Sequence, residues 1–242
     1  MSTAIDATVR HGYERMAGDF QRVFGDRFVA LVASPGGAAA AFVASLRADD
    51  LQALGPLADA WRRESAAVPL VMTTDEFRRS LDTFPLEYQS LLDHHVVIAG
   101  HPPFDGVRIQ PDDLRRACEG QARGHLIHLR QGWIGQASHQ GGLAHLLADS
   151  ASPLRAVLTN LARLHGESPA DDSALAAWAN RTIGMPEALV RDVLSLLTDT
   201  PHRSATLVAR MPEYLDACER LWAFTDSWRG SRAAGDPGDK TR

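Results

Sequence analysis

The stretch Phe28-Val29-Ala30-Leu31-Val32-Ala33-Ser34-Pro35-Gly36-Gly37-Ala38-Ala39-Ala40-Ala41-Phe42-Val43 decides the fold. Its first six residues are apolar and rich in strand formers. Ser34-Pro35-Gly36-Gly37 breaks the run, because proline and paired glycines favour a turn. A second apolar run then continues over residues 38–46. Its alanines suit either a helix or a strand. Phe42-Val43, set between the Gly-Gly turn and Arg47, make it a strand paired with the first.

On the N-terminal side, Ile5, Val9, Tyr13, Met16, Phe20 and Val23 recur at spacings of three and four. That period predicts an amphipathic helix over 5–24, ended by Gly25. On the C-terminal side, Leu51, Leu54, Leu57, Ala58 and Trp61 predict one helix over 49–65, with Asp49 or Asp50 as its cap. Residues 68–72 form a third strand. Thr73-Thr74-Asp75-Glu76 opens a helix reaching about Leu81. Pro85 predicts an extended segment over 84–88. A last strand, 96–99, closes at Gly100-His101-Pro102-Pro103.

From Gln110 onward the pattern is helical throughout: 112–134, 142–165 with a bend at Pro153, 171–182, 186–197 with Pro186 at the first helical position, and 204–228 with Pro212 inside it or beside it. The reading is therefore an α+β protein. A small mixed sheet domain occupies 1–108 and a helical bundle occupies 109–229. A Gly-, Ser- and Asp-containing tail, 230–242, is expected to be disordered. No internal repeat is visible.

Composition narrows the function classes. The 242 residues are 45% hydrophobic and 23% charged, ordinary values for a globular chain. The formal net charge is −5, and no Lys/Arg cluster is denser than Arg62-Arg63, Arg78-Arg79 or Arg115-Arg116. Nucleic acid is accordingly disfavoured as a partner. The start of the chain lacks the basic and apolar segments of a signal peptide, and no apolar run is long enough to span a bilayer. A cytoplasmic location is the default expectation, without a membrane partner. Cys118 and Cys218 read as two small core residues rather than a disulfide framework or a zinc site.

Two segments carry a resemblance. The first is Pro69-Leu70-Val71-Met72-Thr73-Thr74-Asp75-Glu76-Phe77 with Ser80-Leu81-Asp82-Thr83-Phe84-Pro85-Leu86-Glu87-Tyr88. The second joins Leu114-Arg115-Arg116-Ala117-Cys118-Glu119 to Arg123-Gly124-His125-Leu126-Ile127-His128-Leu129-Arg130-Gln131. Together they resemble bacterial nucleotidyltransferase-like proteins of the polymerase-β and kanamycin-nucleotidyltransferase superfamily, over roughly residues 5–165. The resemblance implies a small mixed-sheet domain beside a helical bundle. It also implies a Gly-Ser turn after the first strand, and two Asp residues one apart on the second strand. Those carboxylates hold Mg²⁺, which neutralises a triphosphate and aligns the attacking hydroxyl.

This chain departs from that pattern. Ser34 matches the serine, but Ala33 replaces the glycine and Pro35 removes a backbone donor. No Asp or Glu lies between Ser34 and Asp49. Asp49, Asp50 and Glu87, the last matched to a carboxylate on a later strand, are the remaining catalytic candidates. Ser34, Gly36 and Gly37, with Arg123 and Arg130 on one face of a helix, are the candidates for binding a nucleotide or other anion.

The histidines add less. His94 and His95 are adjacent and, on a strand, point to opposite faces. His125 and His128 share a helical face without the spacing signature of a metal site, and read as partly exposed. Glu119, Arg123 and Arg130 share a face as well. Glu119 with Arg123 reads as a helix-stabilising pair, and the face as an ion-pair network towards the α/β half.

Three readings follow. One is a nucleotidyltransferase-fold pseudoenzyme acting as a binding, regulatory or interaction module, with a protein partner or a second copy of itself. Another is an active nucleotidyltransferase, the only reading that calls for Mg²⁺ and NTP; otherwise no cofactor is expected. The third is a small-molecule-binding module using a cleft between the halves, with Trp61, Trp133 or His128 on its wall.

Overall fold

The computed structural model describes residues 5–35, 38–136, 139–197 and 206–227. The fold is α+β, a small four-stranded mixed sheet with helices. The chain divides between Gln110 and Pro111 into two compact units.

In the first unit, α1 (Ala7–Phe24) is capped by Asp6, whose carboxylate accepts from the Thr8 amide at 2.8 Å. Strands β1 (Phe28–Ala33) and β2 (Ala39–Val43) form an antiparallel hairpin. β3 (Leu70–Thr73) joins β2 in parallel and β4 (Val96–Gly100) joins β1 antiparallel, giving the order β3-β2-β1-β4. Strand alternation sends Leu31, Ala33, Ala39, Ala41 and Val43 to one face, where they pack with Tyr13, Phe20 and Trp61. Ala30, Val32, Ala40 and Phe42 go to the other, against Phe77, Tyr88 and Leu91. The hairpin is therefore covered on both sides.

Several expectations are corrected here. The single helix over 49–65 is α2 (Ala48–Leu54) and α3 (Ala58–Arg63), split by a tight turn at Gly55–Leu57. Pro56 in that turn has no N–H to continue the helical ladder. Neither Asp49 nor Asp50 is the cap. Arg47 takes that position, and its amide donates to Asp50 Oδ2 at 2.9 Å. The second strand is shorter than 38–46. It stops at Val43, and the Ala44 amide turns to the Arg27 carbonyl.

The segment 84–88 is not extended. After α4 (Thr74–Arg79), Pro85 opens α5 (Pro85–His94). Proline at a first helical position gives up a hydrogen bond that is missing there anyway. Its restriction falls only on Phe84, which stays outside the helix. Glu87 thus lies on a helix, not a strand. His94 ends α5 and His95 precedes β4, so neither sits in a strand.

The second unit contains α6 (Pro111–Gln136), α7 (Gln140–Leu164, with Pro153 inside), α8 (Asp172–Ile183), α9 (Glu187–Ser195) and α10 (Met211–Ser227). Pro186 is the cap of α9 rather than its first residue, and Pro212 is the second residue of α10. α6 packs on both α7 and α10, and α8 packs on α9. The expected tail, 230–242, lies outside the described residues, as do Trp228 and the start of the predicted last helix.

Candidate functional site

The resemblance places its chemistry at the turn after β1. There the Ser34 amide donates to the Ala38 carbonyl at 2.7 Å, closing the hairpin. Gly36 and Gly37 lie outside the described residues. All five side chains of β2 are buried, none more than 5% exposed. The strand therefore lacks acids and also lacks a solvent-facing position where an acid could reach a hydrated ion.

The three remaining carboxylates do not gather at that turn. β1 runs antiparallel to β2, so the start of α2 lies at the opposite end of the hairpin from Ser34. Six strand residues separate the two ends by about 17 Å. Asp50 is buried at the far end, held by Arg27 through Nη1···Oδ2 at 2.7 Å and Nη2···Oδ1 at 2.8 Å. The Arg27 guanidinium, and then the Arg47 amide, lower the Asp50 pKa to about 2, against burial. Asp49 beside it and Glu87 on the first turn of α5 are exposed. Among the described residues no three His, Cys, Asp or Glu side chains are grouped to hold a metal ion.

Arg123 and Arg130 make contacts within the helical unit. The Arg123 guanidinium lies over the Trp222 ring, 5.5 Å from its centroid, and Arg130 pairs with Glu219, both on α10. Glu119 pairs with Arg115 at 3.1 Å instead of Arg123.

Two features lay outside the sequence reading. Between α6, α7 and α10, His125 Nε2 lies 2.9 Å from the Tyr214 hydroxyl, which lies 3.0 Å from Ser150 Oγ. Ser150 donates to the Leu147 carbonyl at 2.6 Å. With the Ser150 proton on the Leu147 carbonyl, the Tyr214 hydroxyl donates to Ser150 or to Cys218, with which it also interacts, and accepts from a protonated Nε2. The three polar groups form one connected network in a buried setting. His125 is thus buried, not partly exposed; only His128 is exposed. Burial, then the nearby His128, lowers the His125 pKa to about 4. Cys118 and Cys218 are buried in the same unit, as expected of small core residues, and burial raises each thiol to about 12.

The second feature is a cavity of about 450 Å³ in the α/β unit. It is lined by Gln89, Leu92 and Asp93 of α5, by His95, and by Phe104, Val107, Arg108 and Ile109 of the connection after β4. Trp61, Trp133 and His128 are not on its wall. β1 pairs Ala33 with Val96, so His95 and Ser34 lie at the same end of the sheet, each one residue beyond that pair. Phe104 anchors the connection by edge contacts to Phe42 and His95, at 5.5 and 4.7 Å between centroids. The sequence signal was the apolar spacing of Phe104, Val107 and Ile109 around Arg108, in a segment passed over between two prolines.

Comparison with family models, with curated proteins and with solved structures finds no match to this chain.

Proposed function

We propose that the chain is a nucleotidyltransferase-like pseudoenzyme, a binding or regulatory module that does not transfer nucleotides. The observation that carries this reading is β2, acid-free and buried on both faces. Mg²⁺ bound to triphosphate needs oxygen ligands with access to water and to the nucleotide. Asp50, the only buried acid among the described residues, is committed to Arg27 at the other end of the hairpin. The active alternative requires Asp49, Asp50 and Glu87 to converge on Ser34, and the length of the hairpin separates Asp49 and Asp50 from it.

A protein partner or a second copy fits the same reading. Ile127 and Ile134, seven apart on α6, are 52% and 83% exposed, and such residues are candidates for an interaction surface. Among the described residues no helix is long and apolar enough to cross a membrane. The proposed location is the cytoplasm, where two buried thiols stay reduced.

A thermal-shift panel of ATP, GTP, CTP and UTP, each with and without Mg²⁺, tests the proposal. A ligand at one hundred times its Kd adds about 2.7 kcal/mol, or roughly 5–10 °C in a chain this size. The expected result is no Mg²⁺-dependent shift. A Mg²⁺-dependent shift that vanishes in Asp49→Ala or Glu87→Ala would overturn it.

A further inference from the structure

We infer that the cavity between α5 and the connection after β4 binds a small molecule carrying one anionic group, a carboxylate or a phosphate, on an aromatic or branched apolar body. The apolar body is specified by the floor: Leu92, Phe104, Val107 and Ile109 are all half-buried around the cavity. Its volume, about 450 Å³, lies in the range of small-molecule sites, which pair an apolar lining with a few polar groups.

The anion is specified by how the polar groups are already committed. Gln89 Nε2 donates to Asp93 Oδ1 at 3.0 Å, tying one oxygen of that carboxylate to its own helix. His95 Nδ1 lies 3.1 and 3.2 Å from the Leu91 and Leu92 carbonyls. Carbonyls only accept, so Nδ1 donates to them, and only the Nε2 edge of the ring is left for a ligand. Arg108 is exposed and has no ion pair or hydrogen bond with a described residue. It is the only Lys or Arg side chain on the wall, and a guanidinium matches carboxylate and phosphate oxygens in a two-pronged geometry.

The inference deepens the reading of the chain as a binding module, at a place distinct from the Ser34 turn. It is tested by titrating the isotope-labelled full chain with phenylacetate, phenyl phosphate, benzyl alcohol and inorganic phosphate, following amide shifts. The expected result is binding of phenylacetate or phenyl phosphate with shifts confined to 89–95 and 104–109. Which of the two binds tighter separates a carboxylate from a phosphate ligand. Benzyl alcohol and inorganic phosphate should bind at least about tenfold more weakly, the effect of one charge-assisted contact or of the apolar floor. Arg108→Gln, at an exposed position, should keep the melting temperature and abolish the preference for the anion.

The inference is overturned by any of three results: no shifts in these segments with any probe, equal binding of benzyl alcohol, or unchanged anion affinity in Arg108→Gln. A parallel ATP titration without Mg²⁺ keeps the two readings apart. Shifts at 33–35 with none at 89–109 would keep the nucleotide-binding scaffold and discard the cavity.

Discussion

Arg27 and Asp50 grip each other with two parallel hydrogen bonds, 2.7 and 2.8 Å, joining the residue before β1 to the first turn of α2. The pair fixes where the chain leaves the hairpin, because Arg27 Nη1 also donates to the Ser45 carbonyl at 3.2 Å. The Asp50 pKa of about 2 lies below its ordinary 3.8, chiefly because of the Arg27 hydrogen bonds. The folded state therefore binds this proton less readily than the unfolded chain. The contribution is present above about pH 4 and fades as pH falls towards 2. In Asp50→Asn the acid limb of Tm against pH should flatten over that window, and Tm at pH 7 should drop. An unchanged acid limb would show that the pair does not anchor α2.

His125 titrates in the same direction from a different cause, burial of a neutral ring rather than pairing of a charge. Its pKa of about 4 lies below the ordinary 6.5, with burial as the main cause. Below pH 6.5 the unfolded chain takes up a proton that the folded chain refuses until about pH 4, so stability falls with falling pH between those limits. The shift corresponds to about 3 kcal/mol across the window. Urea melts from pH 7 to pH 4 measure it, and His125→Gln should remove that slope. Nitrogen-15 spectra at pH 7 should show a neutral ring protonated on Nε2, the donor to Tyr214. Tyr214→Phe leaves that N–H without its acceptor and should lower stability by about 1–3 kcal/mol.

The hairpin was legible because Phe28–Ala33 and Phe42-Val43 flank Ser34-Pro35-Gly36-Gly37, a composition that favours a turn over a continued strand. The long helices were legible because Leu114, Cys118, Leu126 and Leu129 recur at helical spacing and are all buried. The missing acids of β2 were also plain in the sequence. That no side chain of β2 reaches solvent was not plain, because burial of the second face depends on Phe77, Tyr88 and Phe104, brought in from 35 to 62 residues away. Pro85 misled because a proline restricts the residue before it and starts a helix equally well. The partners of Arg123 and Arg130 come from α10, about 90 residues on, where no local pattern points back.

Gly100 ends β4 with φ +74°, a conformation that favours glycine. A Cβ there would stand 2.0 Å from the Val29 carbonyl oxygen, on the neighbouring strand. Gly100→Ala should combine backbone strain with a clash that backbone cannot easily relieve, lowering stability by about 1–3 kcal/mol. Because Ala30 pairs with Gly100, amide exchange should rise along β4 first. A variant with wild-type Tm would mean that the strand end relaxes without loss.

Placing an acid on β2 tests the pseudoenzyme reading directly. Ala41 is fully buried on the face packed by α1 to α3. An aspartate there must either lose its charge or strip its hydration in an apolar setting, and neither is offset by a partner cation. Ala41→Asp should therefore destabilise the α/β unit by about 3 kcal/mol or more, and added Mg²⁺ should not recover it. Ala39→Asp, near the turn and 5% exposed, is the gentler case and should also lose stability. Recovery of Tm by Mg²⁺ with ATP in either variant would mean that the turn keeps a working nucleotide geometry, lacking only its carboxylate, and would count against the pseudoenzyme reading. Loss of stability in both, indifferent to Mg²⁺ and ATP, would support the pseudoenzyme reading, with the side chains of β2 serving the interior packing alone.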